Sequence, residues 1–341
     1  MKVIILVGGE GTRLRPLTYS TPKAMMPVLN IPFIHHVINH LNRHDIDHII
    51  LSMGYKPDAI KKYFDVSSGT TSRIIYNIED KPLGTAGAVK YAQKYLDKQE
   101  QFFVMNGDVF TDMDLTGMLN FHRSKKAAAT IALTAVADPT QFGVVEIDSQ
   151  YRIKRFVEKP KREEAPGNLI NAGFYILEPE ILKNIPEDKF TMFERDVFPQ
   201  LIAAGEPVYG YVTDSYWIDM GTPHKYLRLS CDLLQGKCTS IKPHDEDIII
   251  SKNTIIDVES ELQGPLLIDA NCRIGKGVIL KGPTVIGMNC EIAEDSKIEG
   301  SILWSSVSIG RNVKMKNCII ASNNFIEDHA NLENEVINKG S

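Results

Sequence analysis

Two hydrophobic patterns divide this sequence. As far as about Leu234, short apolar runs alternate with segments whose apolar residues recur at helical spacing. Val3 to Val7, Ile49 to Met53, Arg73 to Ile78 and Phe102 to Met105 predict buried strands. Between them Phe33 to Arg43, Asp58 to Phe64 and Gly84 to Leu96 predict helices. This strand and helix alternation predicts an α/β fold with a doubly wound, mostly parallel sheet. Ligands then collect at the carboxyl ends of the strands.

After Gly236 the rule changes. Steps of six from Ile250 meet Ile256, Leu262, Ile268, Ile274, Leu280, Ile286, Ile292, Ile298 and Trp304, all apolar. With 43% apolar residues in the chain, ten such hits in one frame arise by chance about 2 times in 10,000. Past Trp304 the phase slips: Ile309, Met315 and Ala321 continue one row, and Val307, Val313, Ile319 and Phe325 make another. Glycine follows the apolar residue at Ile274-Gly275, Ile286-Gly287 and Ile309-Gly310, where a tight corner favours a residue without Cβ. A period of six predicts a parallel β-helix in which each side stacks on the one below. The boundaries expected are therefore a domain over 1–235, a linker over 236–247 and a repeat domain over 248–341.

Composition narrows the chemistry. A net charge of −5 and a pI near 6.0 argue against a nucleic-acid-binding surface, so any bound anion must be met locally. The five cysteines all lie late in the chain without CxxC spacing, which disfavours a zinc site or a disulfide framework. The first apolar run is too short for a secretory core and no stretch reaches membrane-span length, so a cytoplasmic protein without membrane partners is expected.

The strongest local feature is Gly8-Gly9-Glu10-Gly11-Thr12-Arg13, directly after the first strand. Glycines let backbone N–H groups approach an oligophosphate, Thr12 adds a hydroxyl, and the forked guanidinium of Arg13 suits phosphate oxygens. It is neither a P-loop, since GxxxxGK[ST] is absent, nor a dinucleotide fingerprint, since Leu14 stands where glycine or alanine belongs. Ten residues on, Lys23 lies between Pro22 and Pro27, which stiffen the chain around a cation.

The whole run GGEGTRLRPLT…PKAMMPV resembles the signature of the sugar nucleotidyltransferases, or NDP-sugar pyrophosphorylases. Four further segments match that family in order: LGTAG from Leu83, FFVMNGD ending at Asp108, FVEKP with NAG over Phe156 to Gly173, and YWIDMGTP around Asp219. The resemblance implies a Rossmann-like catalytic domain followed by a left-handed β-helix. It implies that Gly8, Gly9, Gly11, Thr12, Arg13 and Lys23 hold the triphosphate and that Gly84 and Thr85 face the base through their backbone. Gly143, Glu158, Lys159 and Asn171 would form the sugar-phosphate pocket. Asp108 and Asp219 would bind catalytic Mg²⁺, so the catalytic set is Arg13, Lys23, Asp108 and Asp219.

The implied reaction joins a nucleoside triphosphate to a sugar-1-phosphate and releases pyrophosphate. Because that phosphate is already ionised near neutral pH, no general base is required, and positioning and charge neutralisation carry the catalysis. The details, including Asp138-Pro139 and Phe142-Gly143-Val144-Val145, look closest to the mannose-1-phosphate guanylyltransferases, with GTP as nucleotide. Glu10 stands where many of these have an apolar residue and Gly107 where many have serine. Glucose-1-phosphate thymidylyl- or uridylyltransferase, and a non-catalytic NDP-sugar-binding regulatory subunit, are the alternatives. The tail, with only His244 and His329 as possible bases, is expected to mediate a homo-oligomer rather than acyl transfer. Trp304 is the residue expected to stack on another domain or subunit.

Overall fold

The computed structural model describes residues 1–54, 56–66, 70–239 and 246–339. Residues 240–245, which include His244 and the middle of the expected linker, lie outside the described residues. The chain divides into two compact units, Met1–Gly9 with Val37–Trp217, and Glu10–His36 with Ile218–Ser341. The sequence boundary near 235 groups 10–36 and 218–234 with the α/β part, whereas here they belong with the β-helix.

Among the described residues, nine strands form the sheet of the first unit: β1 (Lys2–Leu6), β2 (His48–Met53), β3 (Arg73–Ile78), β4 (Phe102–Asn106), β5 (Ala129–Ala135), β6 (Gly143–Ile147), β7 (Ile153–Glu158), β8 (Leu169–Leu177) and β9 (Val208–Val212). The main α-helices are α1 (Phe33–Asn42), α2 (Pro57–Val66), α3 (Gly84–Tyr91), α4 (Leu115–Lys125), α5 (Phe198–Ala203) and α6 (Pro223–Leu234). Strands β3, β2, β1 and β4 lie side by side in that order and all parallel. The four strands expected from the sequence are these, but β3, expected to be buried, is half-exposed because it is the edge of the sheet. Phe102 to Met105 and nearly all of β5 are buried without alternation, because both faces of the sheet are covered. Beyond β4 the sheet turns antiparallel through β8, then β6 and β7, with β5 also on β8 and β9 parallel to β5. The chain leaves β1 toward β2 on one side and reaches β4 on the other, so the carboxyl ends of β1 and β4 flank a topological switch point.

The second unit contains three sheets of wholly parallel strands, consistent with the left-handed β-helix that the resemblance implies. Ile250, Ile268, Ile286, Leu303, Ile320 and Ile337 are in register on one side; Ile256, Ile274, Ile292, Ile309 and Ile326 on the second; Leu262, Leu280, Ile298, Met315 and Leu332 on the third. The first coils repeat at 18 residues and the later ones at 17, each later coil losing one residue at the same corner. Two row assignments made by counting are therefore corrected. Leu303, not Trp304, stacks on Ile286, and Ile320, not Ala321, follows it. The left-handed backbone at the corners falls two or three residues after the inward row, on Asn253, Asn271, Asn289, Ser306 and Asn323 in one column, where short polar side chains tolerate positive φ. The glycines after the inward residue serve closeness instead: a Cβ on Gly287 would meet Ser305 N at 2.7 Å.

Trp304, displaced from the stack, is nevertheless 3% exposed. Its indole Nε1 donates to Tyr226 Oη of α6 at 2.9 Å, and that hydroxyl donates to the carbonyl of Pro27. Within the same unit Asn30 Nδ2 donates to Ile286 O at 3.0 Å and Asn338 Nδ2 to Pro16 O at 2.9 Å. The expectation that Trp304 stacks on another domain or subunit is met by α6, which the sequence boundary near 235 assigns to the other domain but which here shares the unit of Trp304: the residue fastens α6 and the segment 10–36 to the β-helix. Trp304→Ala is expected to cost about 3–5 kcal/mol of stability, checked by urea unfolding; loss below about 1 kcal/mol would contradict this anchoring.

Candidate active site

The first unit gathers polar groups where its parallel strands end. Gly8 and Gly9 follow β1, and a Cβ on Gly8 would stand 3.3 Å from Gly54 N, just past β2. Gly107 N donates to Leu6 O at 3.0 Å, and a Cβ on Gly107 would meet Val7 Cγ1 at 2.4 Å. Glycine at 107, one of the two departures seen in the sequence, is therefore enforced by the closeness of β1 and β4. It places Asp108 at the switch point.

Glu79, which motif matching missed, closes β3. Its Oε1 accepts from Ser52 Oγ at 2.8 Å, and Ser52 Oγ in turn accepts from Asn77 Nδ2 at 2.9 Å. A Cβ on Gly8 would stand 4.0 Å from the same carboxylate oxygen. Burial raises the Glu79 carboxyl above its ordinary value, with the Ser52 hydrogen bond pulling the other way. The available signal was an acidic residue directly after a predicted strand.

Thr85 and Asn171 have their side chains committed. Gly84 has φ +75° and a Cβ there would meet Thr191 O at 2.6 Å, while Ala86 N and Gly87 N donate to that oxygen at 3.0 and 3.1 Å. Thr85 Oγ1 donates to Glu194 Oε2 at 2.8 Å and accepts from Phe193 N at 2.9 Å. The other oxygen of Glu194 accepts from Tyr175 Oη at 3.2 Å, and Tyr175 Oη accepts from Asn171 Nδ2 at 2.8 Å. One buried network therefore connects the LGTAG and NAG segments, with Glu194 and Tyr175, absent from the sequence reading, as its links. Asn171 Oδ1 also accepts from Gly173 N at 2.9 Å, inside a bulge where the β8 register on β5 jumps from Asn171 to Tyr175. A bulge re-aims side chains, and here it occupies the whole NAG motif.

Gly143 pairs with Glu158 across β6 and β7. A Cβ on Gly143 would meet Phe156 Cζ at 2.6 Å and Glu158 Oε2 at 2.9 Å, so glycine makes room for that carboxylate. Burial raises the Glu158 carboxyl, the charge of Glu194 adds to the rise, and Lys159 and Arg195 oppose it. Lys159 lies 3.9 Å from Glu158 with its side chain 58% exposed, a cation placed to meet a solute.

The second unit holds Gly11, Thr12, Arg13, Lys23 and Asp219. Gly11 adopts the left-handed conformation at φ 65°, and a Cβ there would lie 3.0 Å from Thr18 Cγ2 and 3.3 Å from Lys23 Cβ. Thr18 Oγ1 donates to Gly11 O at 2.9 Å, fixing the loop, which continues as a short 3-10 turn over Thr12–Leu14. Arg13 Nη2 and Asp219 Oδ2 lie 3.1 and 2.9 Å from the point where a Cβ of Gly221 would stand, so Gly221 leaves room for both. Asp219 Oδ1 accepts from Lys225 Nζ, another residue the sequence reading passed over. Among the described residues no group of three or more His, Cys, Asp or Glu is arranged to hold a metal ion, and no helix is long and apolar enough to cross a membrane.

Residues 2–236 match the family model described as nucleotidyl transferase, and residues 246–339 match the GMPPB C-terminal domain. Mannose-1-phosphate guanylyltransferase of Mycobacterium tuberculosis is 38% identical over 277 residues, 80% of this chain and 76% of that protein. Mannose-1-phosphate guanylyltransferase 1 of Arabidopsis thaliana is 35% identical over 344 residues, 99% of this chain and 90% of that protein. The crystal structure of HddC from Yersinia pseudotuberculosis superposes with a TM-score of 0.59 at 32% identity, covering 67% of this chain and 97% of its own. The same protein complexed with GMP-PN gives a TM-score of 0.58.

Thr85→Val removes a donor from buried Glu194 and an acceptor from Phe193 N together. It is expected to lower stability by about 1–3 kcal/mol, measured by urea denaturation. An unchanged midpoint would show that the network does not hold the two motifs.

Proposed function

This chain belongs to the nucleotidyl transferase family, and from that membership we propose that it makes GDP-mannose and pyrophosphate from GTP and mannose-1-phosphate. The observation that carries the choice of base is Glu79. Guanine presents N1–H and N2–H₂ side by side, two donors that suit a carboxylate, and Glu79, whose Oε1 already accepts from Ser52 Oγ, would receive them on the lone pairs left to its two oxygens. Uracil and thymine present a single N–H between two carbonyls, which a carboxylate repels. The likeness to relatives named mannose-1-phosphate guanylyltransferase supports the same reading.

In this proposal a phosphate oxygen of mannose-1-phosphate attacks the α-phosphorus of GTP. The bond from the α-phosphorus to its bridging oxygen breaks, and the electron pair leaves with pyrophosphate. Gly8, Gly9, Gly11 and Thr12 offer donors to the triphosphate, and Arg13 and Lys23 offset its charge. Gly84 and Thr85 meet the base through their backbone. Glu158 accepts sugar hydroxyls, Lys159 meets the sugar phosphate, and Asn171 and Gly143 shape that pocket. No proton has to move, so none of these groups acts as a base.

Mg²⁺ asks for only one or two carboxylates, with substrate oxygens and water completing its shell. Asp108 and Asp219 fit that donor set and are the residues proposed to hold it. When bound, the ion neutralises charge on the phosphates. Residence in the cytoplasm and a homo-oligomer held through the β-helix complete the proposal.

A matrix of GTP, dTTP, UTP, ATP and CTP against mannose-1-phosphate and glucose-1-phosphate, scored by pyrophosphate release, tests the substrates. GTP with mannose-1-phosphate is expected to lead in kcat/KM; a lead for dTTP or UTP with glucose-1-phosphate would overturn the base and sugar, and no activity would favour a regulatory subunit. Glu79→Gln is expected to lower kcat/KM for GTP by about 10²-fold while sparing UTP, since it replaces one of two matched acceptors. Asp108→Asn is expected to lower kcat by about 10²–10³-fold or more without unfolding the protein, and near-normal turnover at saturating Mg²⁺ would remove Asp108 from the metal site.

A further inference from the structure

Lys225 occupies the third position of α6, after the cap Thr222, whose side chain accepts from Lys225 N, and after Pro223. The first turn of a helix exposes unpaired N–H groups and the positive end of its dipole, so it disfavours a cation. The first turn of α6 contains no acidic residue to offset the charge. Helix stability therefore gives no reason for a lysine at this position. The reason lies outside the helix, in the bond from Lys225 Nζ to Asp219 Oδ1.

That ion pair is shielded, with the side chains of Lys225 and Asp219 only 33% and 15% exposed. Arg13 Nη2 lies 3.1 Å from the point where a Cβ of Gly221 would stand, and Asp219 Oδ2 lies 2.9 Å from the same point, so a second cation is close to this carboxylate. A divalent ion arriving alone must compete with a positive charge already bonded to the ligand it needs. A metal–nucleoside triphosphate complex arrives with net negative charge and is attracted by the same two cations. The flexible four-carbon stem of lysine then allows its ammonium to move from the carboxylate to a phosphate oxygen.

We propose that Lys225 is a positioning residue that takes the place of the divalent cation at Asp219 in the nucleotide-free protein, so that the metal enters with the nucleotide and not ahead of it. This rests on the reading of Asp219 as a metal ligand.

The test is Mn²⁺ binding to full-length, nucleotide-free protein, measured by the electron paramagnetic resonance signal of free Mn²⁺. Wild type is expected to bind weakly, and Lys225→Met and Lys225→Gln to bind at least about tenfold more tightly, as removal of a contacting like charge implies. Lys225→Arg, which keeps the charge, is expected to match wild type. Lys237→Met removes a lysine beyond the far end of α6, whose partner is Asp232 at 2.7 Å, and is expected to change nothing. Folded Lys225→Met or Lys225→Gln with wild-type affinity overturns the proposal, as does an equal gain from Lys237→Met. The double variant Lys225→Met, Asp219→Asn separates the two readings. If it binds Mn²⁺ as tightly as Lys225→Met alone, the gain does not run through Asp219 and the metal role of Asp219 fails. If the gain disappears, both readings stand.

Discussion

One phenolic hydroxyl organises the second unit. Tyr226 accepts from the indole of Trp304 in the β-helix and donates to the carbonyl of Pro27 in the segment that contains the phosphate signature. Burial pushes its ionisation well above the ordinary tyrosine value, which favours the protonated hydroxyl that makes the second bond. Side chain, helix and solenoid are thereby joined at a point that water does not reach. The position of Gly11, Arg13 and Lys23 depends on how their segment is held, and within this unit the β-helix does much of the holding.

The polar residues of the two units are arranged by charge as much as by hydrogen bonding. Glu194 lies buried among Thr85, Tyr175 and the field of Glu158, and it is tolerated because both of its oxygens have donors. Asp219 is paired with a lysine that its own helix disfavours. In each case a carboxylate is held in place by donors of its own chain.

Close approach of backbones explains several glycines that a motif match treats alike. Gly84 and Gly11 need a left-handed backbone, whereas Gly107 and Gly143 need only the missing side chain. At 107 a side chain would meet Val7 and the backbone of Leu6, so glycine lets the chain turn from β4 into Asp108.

The sequence by itself determined the four parallel strands and the six-residue period, because local periodicity is written in adjacent residues. It was blind to Glu79, Glu194, Tyr175 and Lys225, whose importance comes from partners 27, 109, 19 and 6 residues away. It misassigned Trp304 because a count of six cannot detect the coil that closes one residue short; only stacking against Ile286 decides that Leu303 faces inward. Tertiary structure likewise decided that 10–36 is packed with the repeat domain, since a buried hydroxyl can join segments whose sequence separation carries no periodic signal.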